Sequence, residues 1–551
     1  MRGSKKKYLI DPDETFLDSS NLPSFDDQQF EGRLERPIAR FSIYLLGAVF
    51  FLIVLMFMIK AVDLQLVKGE ELAKRSQNNT LRRLPLFAER GVIYDRNKVE
   101  LAWNNPGRQY ASSTGFSNLL GYISYPEAKD IAVGKDGVEK LFDNQLKGMV
   151  GTKIEEVDVV GEKRSDYILT EPTDGSAVTL SVDSRIQEEL AKLIKNLATE
   201  KGFGGGAGAL LNIKNGELLA LVTYPEYDSQ ILTDGKDAKK IQSYINDSSN
   251  PFHQRALFGL YTPGSIFKPI VAVGALSEKI IDPEKKILST GKLELPNPYA
   301  PDQPSIFKDW KAHGWVNLRE AIAVSSNVYF YNIGGGFEDQ AGLGIRQIER
   351  YARLFGLGES IILNGLETAK GVVPNPLWKA DNFTDKVWRV GDTYHTSIGQ
   401  YGVQVTPLQM ARAIGAIANG GVLVNPTLLK IENSGDEQLA GGRQLPLANE
   451  NLQIVREGMR LGVEKGTAQS LSVPFVKVAA KTGTAELGLL KDEVNSWVLG
   501  FFPYENPKYA FTIVMEKGRK ENLIGSPSIM RALLDWMHQN TPEYFGKEID
   551  P

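Results

Sequence analysis

The chain has 551 residues, with 63 Lys and Arg against 67 Asp and Glu, and no cysteine. Its length exceeds that of one ordinary domain, and a net charge of -4 with a sequence pI near 5.9 offers no basic field for a nucleic-acid partner. The absence of cysteine excludes disulfides and thiolate metal sites, so any part exposed outside a cell is held by its core.

Residues 1–40 carry DPDET, DSSN and SFDDQQ with few apolar side chains, the composition of a disordered, solvated tail. Between Arg40 and Lys60 stands FSIYLLGAVFFLIVLMFMI, uncharged and long enough to cross a hydrocarbon core of about 30 Å as one helix. A cleaved signal would have a shorter apolar region directly behind a brief basic stretch. Here a long polar segment precedes it, so residues 41–60 are read as a retained transmembrane helix. Flanking charge barely orients it: Arg33, Arg36 and Arg40 face Lys60, Lys68 and Lys74 across the span, and Lys5, Lys6 and Lys7 tilt the N-terminus toward the cytoplasm.

Residues 61–177 alternate short β-like runs with Gly, Pro and Asn turns, as in RGVIYDRNK and LAWNNPGRQY, and form a mixed, loop-rich module. A larger domain follows over 178–545. In it AVTLSVDS reads as a strand, and RIQEELAKLIKNLA places Ile186, Leu190, Leu193, Ile194 and Leu197 at helical spacing. The stretch KGFGGGAGALLNI lacks the spacing of a phosphate-binding loop and precedes a strand, so it is read as a flexible turn into ALLNI.

The tetrapeptide Ser-Ile-Phe-Lys occurs twice, at 265–268 and 305–308. A serine is a poor nucleophile until a base takes its proton, and a lysine three residues on along a helix lies on the same face. Behind Ser265 comes IFKPIVAVGALSEK, a run suited to a buried helix in which Pro269 is tolerated only near the start. Ser265 is thus expected at a helix N-terminus, where free N–H groups favour a developing oxyanion. Ser305 lies between Pro304 and Asp309-Trp310 and reads as a loop or strand residue.

Two further sets accompany Ser265 and Lys268. Ser325-Ser326-Asn327 lies in VNLREAIAVSSNVYFYNIG, on a helix capped by Asn317 with Glu320 three residues on. Lys481-Thr482-Gly483-Thr484 follows the strand-like VKVAA, and Gly483 would let a substrate backbone approach. The nearby Lys465-Gly466-Thr467 reads as a helix end. There is no G-x-S-x-G elbow, and none of His253, His313, His395 and His538 adjoins a candidate serine. A metal site built from these scattered histidines is not expected.

S-x-x-K, S-x-N and K-T-G in this order resemble the motif set of the penicillin-recognising serine acyl-transferases. Arg90-Gly91-Val92-Ile93-Tyr94-Asp95-Arg96 and GKDGVEKLFDNQLKGMVG at 134–151 resemble the non-catalytic pedestal of class B penicillin-binding proteins. GVVPNPLWK and VWRVGDTYHTSIGQYGVQVTPLQMA resemble the elongation-type member, penicillin-binding protein 2. Lys98 and Tyr401 stand where the family pattern has glycine. The resemblance implies an α/β (α+β) fold: a transpeptidase domain with helices on both faces of a sheet and an all-helical subdomain, behind a β-rich pedestal and one membrane helix.

The resemblance also implies the chemistry. Ser265 would attack the carbonyl between the terminal D-alanines of a peptidoglycan stem peptide, with Lys268 as base, Ser325 relaying a proton and Asn327 orienting Lys268 and the substrate amide. Lys481 would supply positive potential, Thr482, Gly483 and Thr484 would bind the terminal carboxylate, and the N–H groups of Ser265 and Thr484 would form the oxyanion hole. No cofactor or metal is implied. Implied partners are stem peptides as donor and acceptor, β-lactams, a glycan polymerase of the shape, elongation, division and sporulation (SEDS) class, other cell-elongation membrane proteins and the membrane itself. The catalytic domain would face outward from the cytoplasmic membrane. A division-type enzyme, a carboxypeptidase or β-lactamase-like hydrolase, and a non-enzymatic polymerase activator remain the alternatives.

Overall fold

The computed structural model describes residues 39–125, 132–157, 162–297, 302–431, 441–488 and 492–546. The tail expected over 1–40 lies outside the described residues except for Ala39 and Arg40. The apolar run forms helix α1, Arg40–Val62, 23 residues with none buried. At about 1.5 Å per residue such a helix matches a bilayer core, and it continues beyond the expected 41–60 because Ala61 and Val62 extend the apolar run.

The chain divides into two compact units, 1–83 with 154–167, and 84–153 with 168–551. The first holds α1. In the second, helix α2 (Ser184–Lys201) is capped by Asp183, whose side chain accepts from Arg185 N, and ends at Gly202 with φ 67°. Strands β1 (Gly205–Asn212) and β2 (Leu218–Tyr224) follow. Then come helices α3 (Lys268–Ser277), α4 (Leu318–Val324), α5 (Asn327–Gly335), α6 (Pro407–Ala418) and α7 (Asn449–Lys465). Strands β3 (Ala479–Leu487), β4 (Glu493–Phe502) and β5 (Tyr509–Arg519) and helix α8 (Ser526–Asn540) complete the series.

The five strands form one antiparallel sheet in the order β2-β1-β5-β4-β3. Alternate strand residues face opposite sides. Leu210, Val498, Phe511, Ile513 and Met515 pack with Ile186, Leu190 and Ile194 of α2 and Leu533 and Met537 of α8. Ala209, Leu211, Trp497, Leu499 and Val514 face a second core that contains Met410 and Ile414 of α6. A sheet with helices on both faces is the expected class of fold, but the region inserted between β2 and β3 is not all-helical: beside α3, α4, α5, α6 and α7 it carries two-stranded ribbons such as Lys292–Leu295 with Ser305–Lys308, because long connections between its helices pair with one another.

The glycine-rich run is not a turn: β1 begins at Gly205, and Gly206 and Gly208 lie inside it, buried. Helix α2 rests directly on them, so an added Cβ would come 2.9 Å from Ile194 Cγ2 at Gly206 and 2.9 Å from Leu190 Cδ2 at Gly208. Leu193, expected in the core with its helical neighbours, is only partly buried.

The pedestal motif is built around Glu139, which is 0 % exposed. Its carboxylate accepts from Arg90 Nε at 2.6 Å and from Arg108 Nε at 2.6 Å, and Arg90 Nη2 reaches Asp143 at 2.8 Å. Asp95 accepts from Ser184 N at 3.1 Å and Ser184 Oγ at 2.7 Å, at the first turn of α2. Ile93–Tyr94 pairs in parallel with Val178–Thr179, and Leu101, Phe116 and Leu119 share one core with Leu180 and Val182. The boundary expected at 177 therefore cuts through continuous packing. Lys98 takes φ 66°, the left-handed conformation glycine adopts at less cost, and its Nζ reaches Thr179 Oγ1 at 2.9 Å.

Glu139→Ala leaves the buried Arg108 guanidinium without its carboxylate and Arg90 with Asp143 in place of two carboxylates. It is expected to lower unfolding free energy by about 3–5 kcal/mol, whereas the exposed Lys292→Ala should change it by no more than about 0.5 kcal/mol. Denaturant titration of both variants checks this.

Candidate active site

Ser265 sits in a tight 3-10 turn, Gly264–Phe267, and α3 starts only at Lys268, with Pro269 in its first turn. The expected helix start is thus displaced by one short turn. The segment leading into it is pinned at several points. Tyr261 and Val405 exchange N–H···O bonds of 3.0 Å each, Gly264 N donates to Gly399 O at 2.9 Å, and Trp497 Nε1 of β4 donates to Thr262 O at 3.0 Å.

Two glycines let neighbouring backbone close on this turn. At Gly483 of β3 a Cβ would lie 2.9 Å from Ile266 Cγ2 and 3.0 Å from Pro263 O; at Gly399 it would lie 2.2 Å from Gly264 O. Gly483 therefore accommodates the turn that carries Ser265, where the sequence suggested room for a substrate backbone. A Cβ at Gly264, φ 59°, would meet Thr484 O at 3.0 Å, so the backbone just before Ser265 runs against Thr484.

Lys268 is 0 % exposed. Its Nζ donates to Ser325 O at 2.7 Å, Asn327 Oδ1 at 2.7 Å and Ser325 Oγ at 3.3 Å. These bonds run to the S-x-N motif; the bond to Ser265 suggested by the spacing is not among them. Burial drives the Lys268 ammonium down to about 7, against the opposing pull of Asp309. Lys481 is also buried and donates to Thr482 O at 2.9 Å. Burial first, and the Lys268 charge second, push it well below the ordinary lysine range.

Ser325 is not within a helix. It closes α4 in the left-handed conformation, φ 61° and ψ 38°, and Ser326 caps α5, which starts at Asn327. The expected capping box of Asn317 and Glu320 is present at the start of α4. The motif is thus a sharp corner between two helices, which turns Ser325 O, Ser325 Oγ and Asn327 Oδ1 toward one point.

Lys465 ends α7 as expected, yet its neighbour Thr467 enters the site: Thr482 Oγ1 lies 2.7 Å from Thr467 Oγ1. The second Ser-Ile-Phe-Lys copy forms a strand, Ser305–Lys308, paired with Lys292–Leu295, and Ser305 is exposed. Its end still matters. Lys308 O accepts from Asn327 Nδ2 at 3.4 Å and from Tyr331 OH at 3.1 Å, and the next residue, Asp309, has a fully buried side chain beside His313. Sequence reasoning missed Asp309, His313 and Thr467 because only folding brings them to the motifs. Tyr401, the other departure from the family pattern, takes φ 56° and stacks on Phe383 at 5.8 Å between centroids.

The family model for the penicillin binding protein transpeptidase domain matches residues 206–535, and that for the penicillin-binding protein dimerisation domain matches residues 105–180. The peptidoglycan D,D-transpeptidase MrdA of Acinetobacter baumannii is 29% identical over 450 residues, 75% of this chain and 63% of that protein's length. The enzyme of the same name from Haemophilus influenzae is 26% identical over 505 residues, 85% of this chain and 74% of its own. The structure of penicillin-binding protein PBP2 with MreC from Helicobacter pylori aligns with a TM-score of 0.70 at 27% identity, covering 84% of this chain and 100% of that one.

Gly483→Ala should displace the Ser265 turn and slow acylation of Ser265 by a β-lactam by about 100-fold, with Lys268 untouched. Stopped-flow rates with a chromogenic cephalosporin check it.

Proposed function

The chain belongs to the penicillin-binding protein transpeptidase family, and on that premise we propose that it is an elongation-type peptidoglycan D,D-transpeptidase anchored in the cytoplasmic membrane. The observation that carries the reading is Lys268: a fully buried lysine, brought to about 7, one turn of chain from Ser265 and held by Ser325 and Asn327. A lysine so placed can accept a proton near neutral pH, which is what a serine nucleophile without a histidine needs.

In the first half-reaction Ser265 Oγ attacks the carbonyl joining the two terminal D-alanines of a donor stem, and its proton passes to Lys268. The N–H groups of Ser265 and Thr484 hold the oxyanion. The tetrahedral intermediate collapses, the C–N bond breaks, and the leaving D-alanine amine takes a proton delivered through Ser325. In the second half-reaction the amine of an acceptor stem attacks the ester carbonyl and loses a proton through Ser325 to Lys268; the ester C–O bond breaks, and Lys268 returns that proton to Ser265 Oγ. Lys481, Thr482 and Thr484 bind the terminal carboxylate, whose arrival favours the charged form of Lys481. The bond between Thr482 and Thr467 fixes the Thr482 hydroxyl for this task.

The pedestal, proposed over 61–177, and the transpeptidase domain, over 178–545, stand outside the cell, because the substrate does. Helix α1 then crosses the membrane once, with the N-terminus in the cytoplasm. A SEDS-class glycan polymerase and other cell-elongation proteins are its partners in this reading, supported by the likeness to a PBP2 structure solved with MreC.

Mass spectrometry of the full chain after exposure to a penicillin should place one adduct on Ser265. Ser265→Ala should carry none, and Ser305→Ala should keep it; an adduct on Ser305 would sink the reading. With lipid-linked substrate and a polymerase, crosslinked dimers should outnumber shortened monomers, and the opposite product ratio would mark a hydrolase. Lys268→Met should slow acylation by about 10²–10⁴-fold. Since the base works when neutral, the wild-type rate should rise with pH and reach half its plateau near 7.

A further inference from the structure

We propose that Asp309, delivered by the second Ser-Ile-Phe-Lys copy, is a positioning residue for acylation: its buried carboxylate holds the Ser325–Asn327 corner against Lys268 and places a negative charge behind it. The inference rests on the acyl-enzyme reading above.

The geometry is specific. Asp309 Oδ2 accepts from Val328 N at 2.9 Å, lies 2.9 Å from Ser326 Oγ and accepts from Ser289 Oγ at 3.2 Å. Ser326 and Val328 are the two neighbours of Asn327, so one carboxylate grips the chain on either side of the residue that holds Lys268. Ser326 Oγ is also 3.0 Å from Ser289 Oγ, which ties the corner to the strand Ile287–Ser289. An anion at the first turn of α5 also answers the positive end of that helix. The neighbouring backbone adds a second hold, since Lys308 O accepts from Asn327 Nδ2.

Asp309 also acts through space. Lys268 faces Lys481 from β3, Ser265 from its own turn, Ser325 and Asn327 from the corner, and Asp309, with His313 and Lys311 nearby, from the segment after the second copy. The charge of Lys268 in turn disfavours a charged Lys481. His313 is pushed down by burial and then, against Asp309, by the charges of Lys311 and Lys268. Asp309 is the acidic group among these neighbours, so it keeps Lys268 protonated until the pH approaches neutrality. Removing its charge must lower the pH at which Lys268 loses its proton.

The test is the pH profile of acylation by a chromogenic cephalosporin, measured on the full chain in detergent micelles. Asp309→Asn keeps the shape and removes the charge. It is expected to move the midpoint of the rising limb down by about 1 pH unit and to lower the plateau. Ser326→Ala loosens the corner and keeps the charge, so its plateau should fall roughly threefold with the midpoint unchanged. An Asp309→Asn midpoint equal to that of the wild type overturns the proposal, because loss of structure alone lowers rates without moving the limb. Thermal melts report whether each variant folds. Should Asp309→Asn unfold, Asp309→Ser carries the test, since it also removes the charge: a midpoint moved down supports the proposal, and a wild-type midpoint overturns it. A wild-type chain that forms no adduct on Ser265 is instead a failure of the acyl-enzyme reading.

Discussion

The arrangement of the site depends on taking a lysine ammonium out of water. Burial of a charge costs several kcal/mol unless hydrogen bonds and counter-charge replace the solvent. Around Lys268 the replacement is partial: two oxygens at 2.7 Å, a hydroxyl at 3.3 Å and the ring of Phe330 at 5.4 Å, with no carboxylate bonded to it among the described residues. A direct carboxylate partner would have made an ion pair and kept the lysine charged. A dry apolar cavity would have left the lysine neutral and its N–H groups without an acceptor. The S-x-N corner lies between these extremes, which is why Ser325 has to adopt a left-handed conformation to turn its carbonyl inward.

The same logic explains the close packing of backbone around Ser265. A nucleophile is useful only if its position is fixed to within a fraction of an ångström, and a turn held by side chains alone would retain rotamer freedom. Here the turn is gripped by main chain on two sides, at Gly399 and Gly483, and by the Trp497 indole on a third. The third motif therefore has a structural duty. Its glycine seats the turn that carries the serine, and its lysine lies buried with Nζ on Thr482 O.

The pedestal motif and the catalytic fold are likewise joined by ordinary physics. Asp95 closes its own turn through Asn97 N and Val99 N and caps the start of α2, which lies across β1. Arg96 reaches Glu217, just before β2. A short exposed-looking motif thus ends in contacts with the helix and hairpin on which the central sheet is built.

Much of this was legible in the amino-acid sequence. The apolar helix of membrane-spanning length, the helical stripe of Ile186, Leu190 and Ile194, the turn-and-helix setting of Ser265 against the strand setting of Ser305, and the three motifs all depend on local composition, periodicity or turn chemistry, which a linear chain displays directly. What only the tertiary structure decided depends on contacts between distant segments. The glycines of β1 became strand because α2 lies on them. Gly483 proved to seat a turn more than two hundred residues away in the chain, and Thr467 found Thr482. Asp309, at the end of a tetrapeptide that merely duplicates the nucleophile's, became the anion behind the corner that holds Lys268. Burial, and with it the protonation of a lysine, is a property of what surrounds a side chain in space, and no local pattern of residues encodes it.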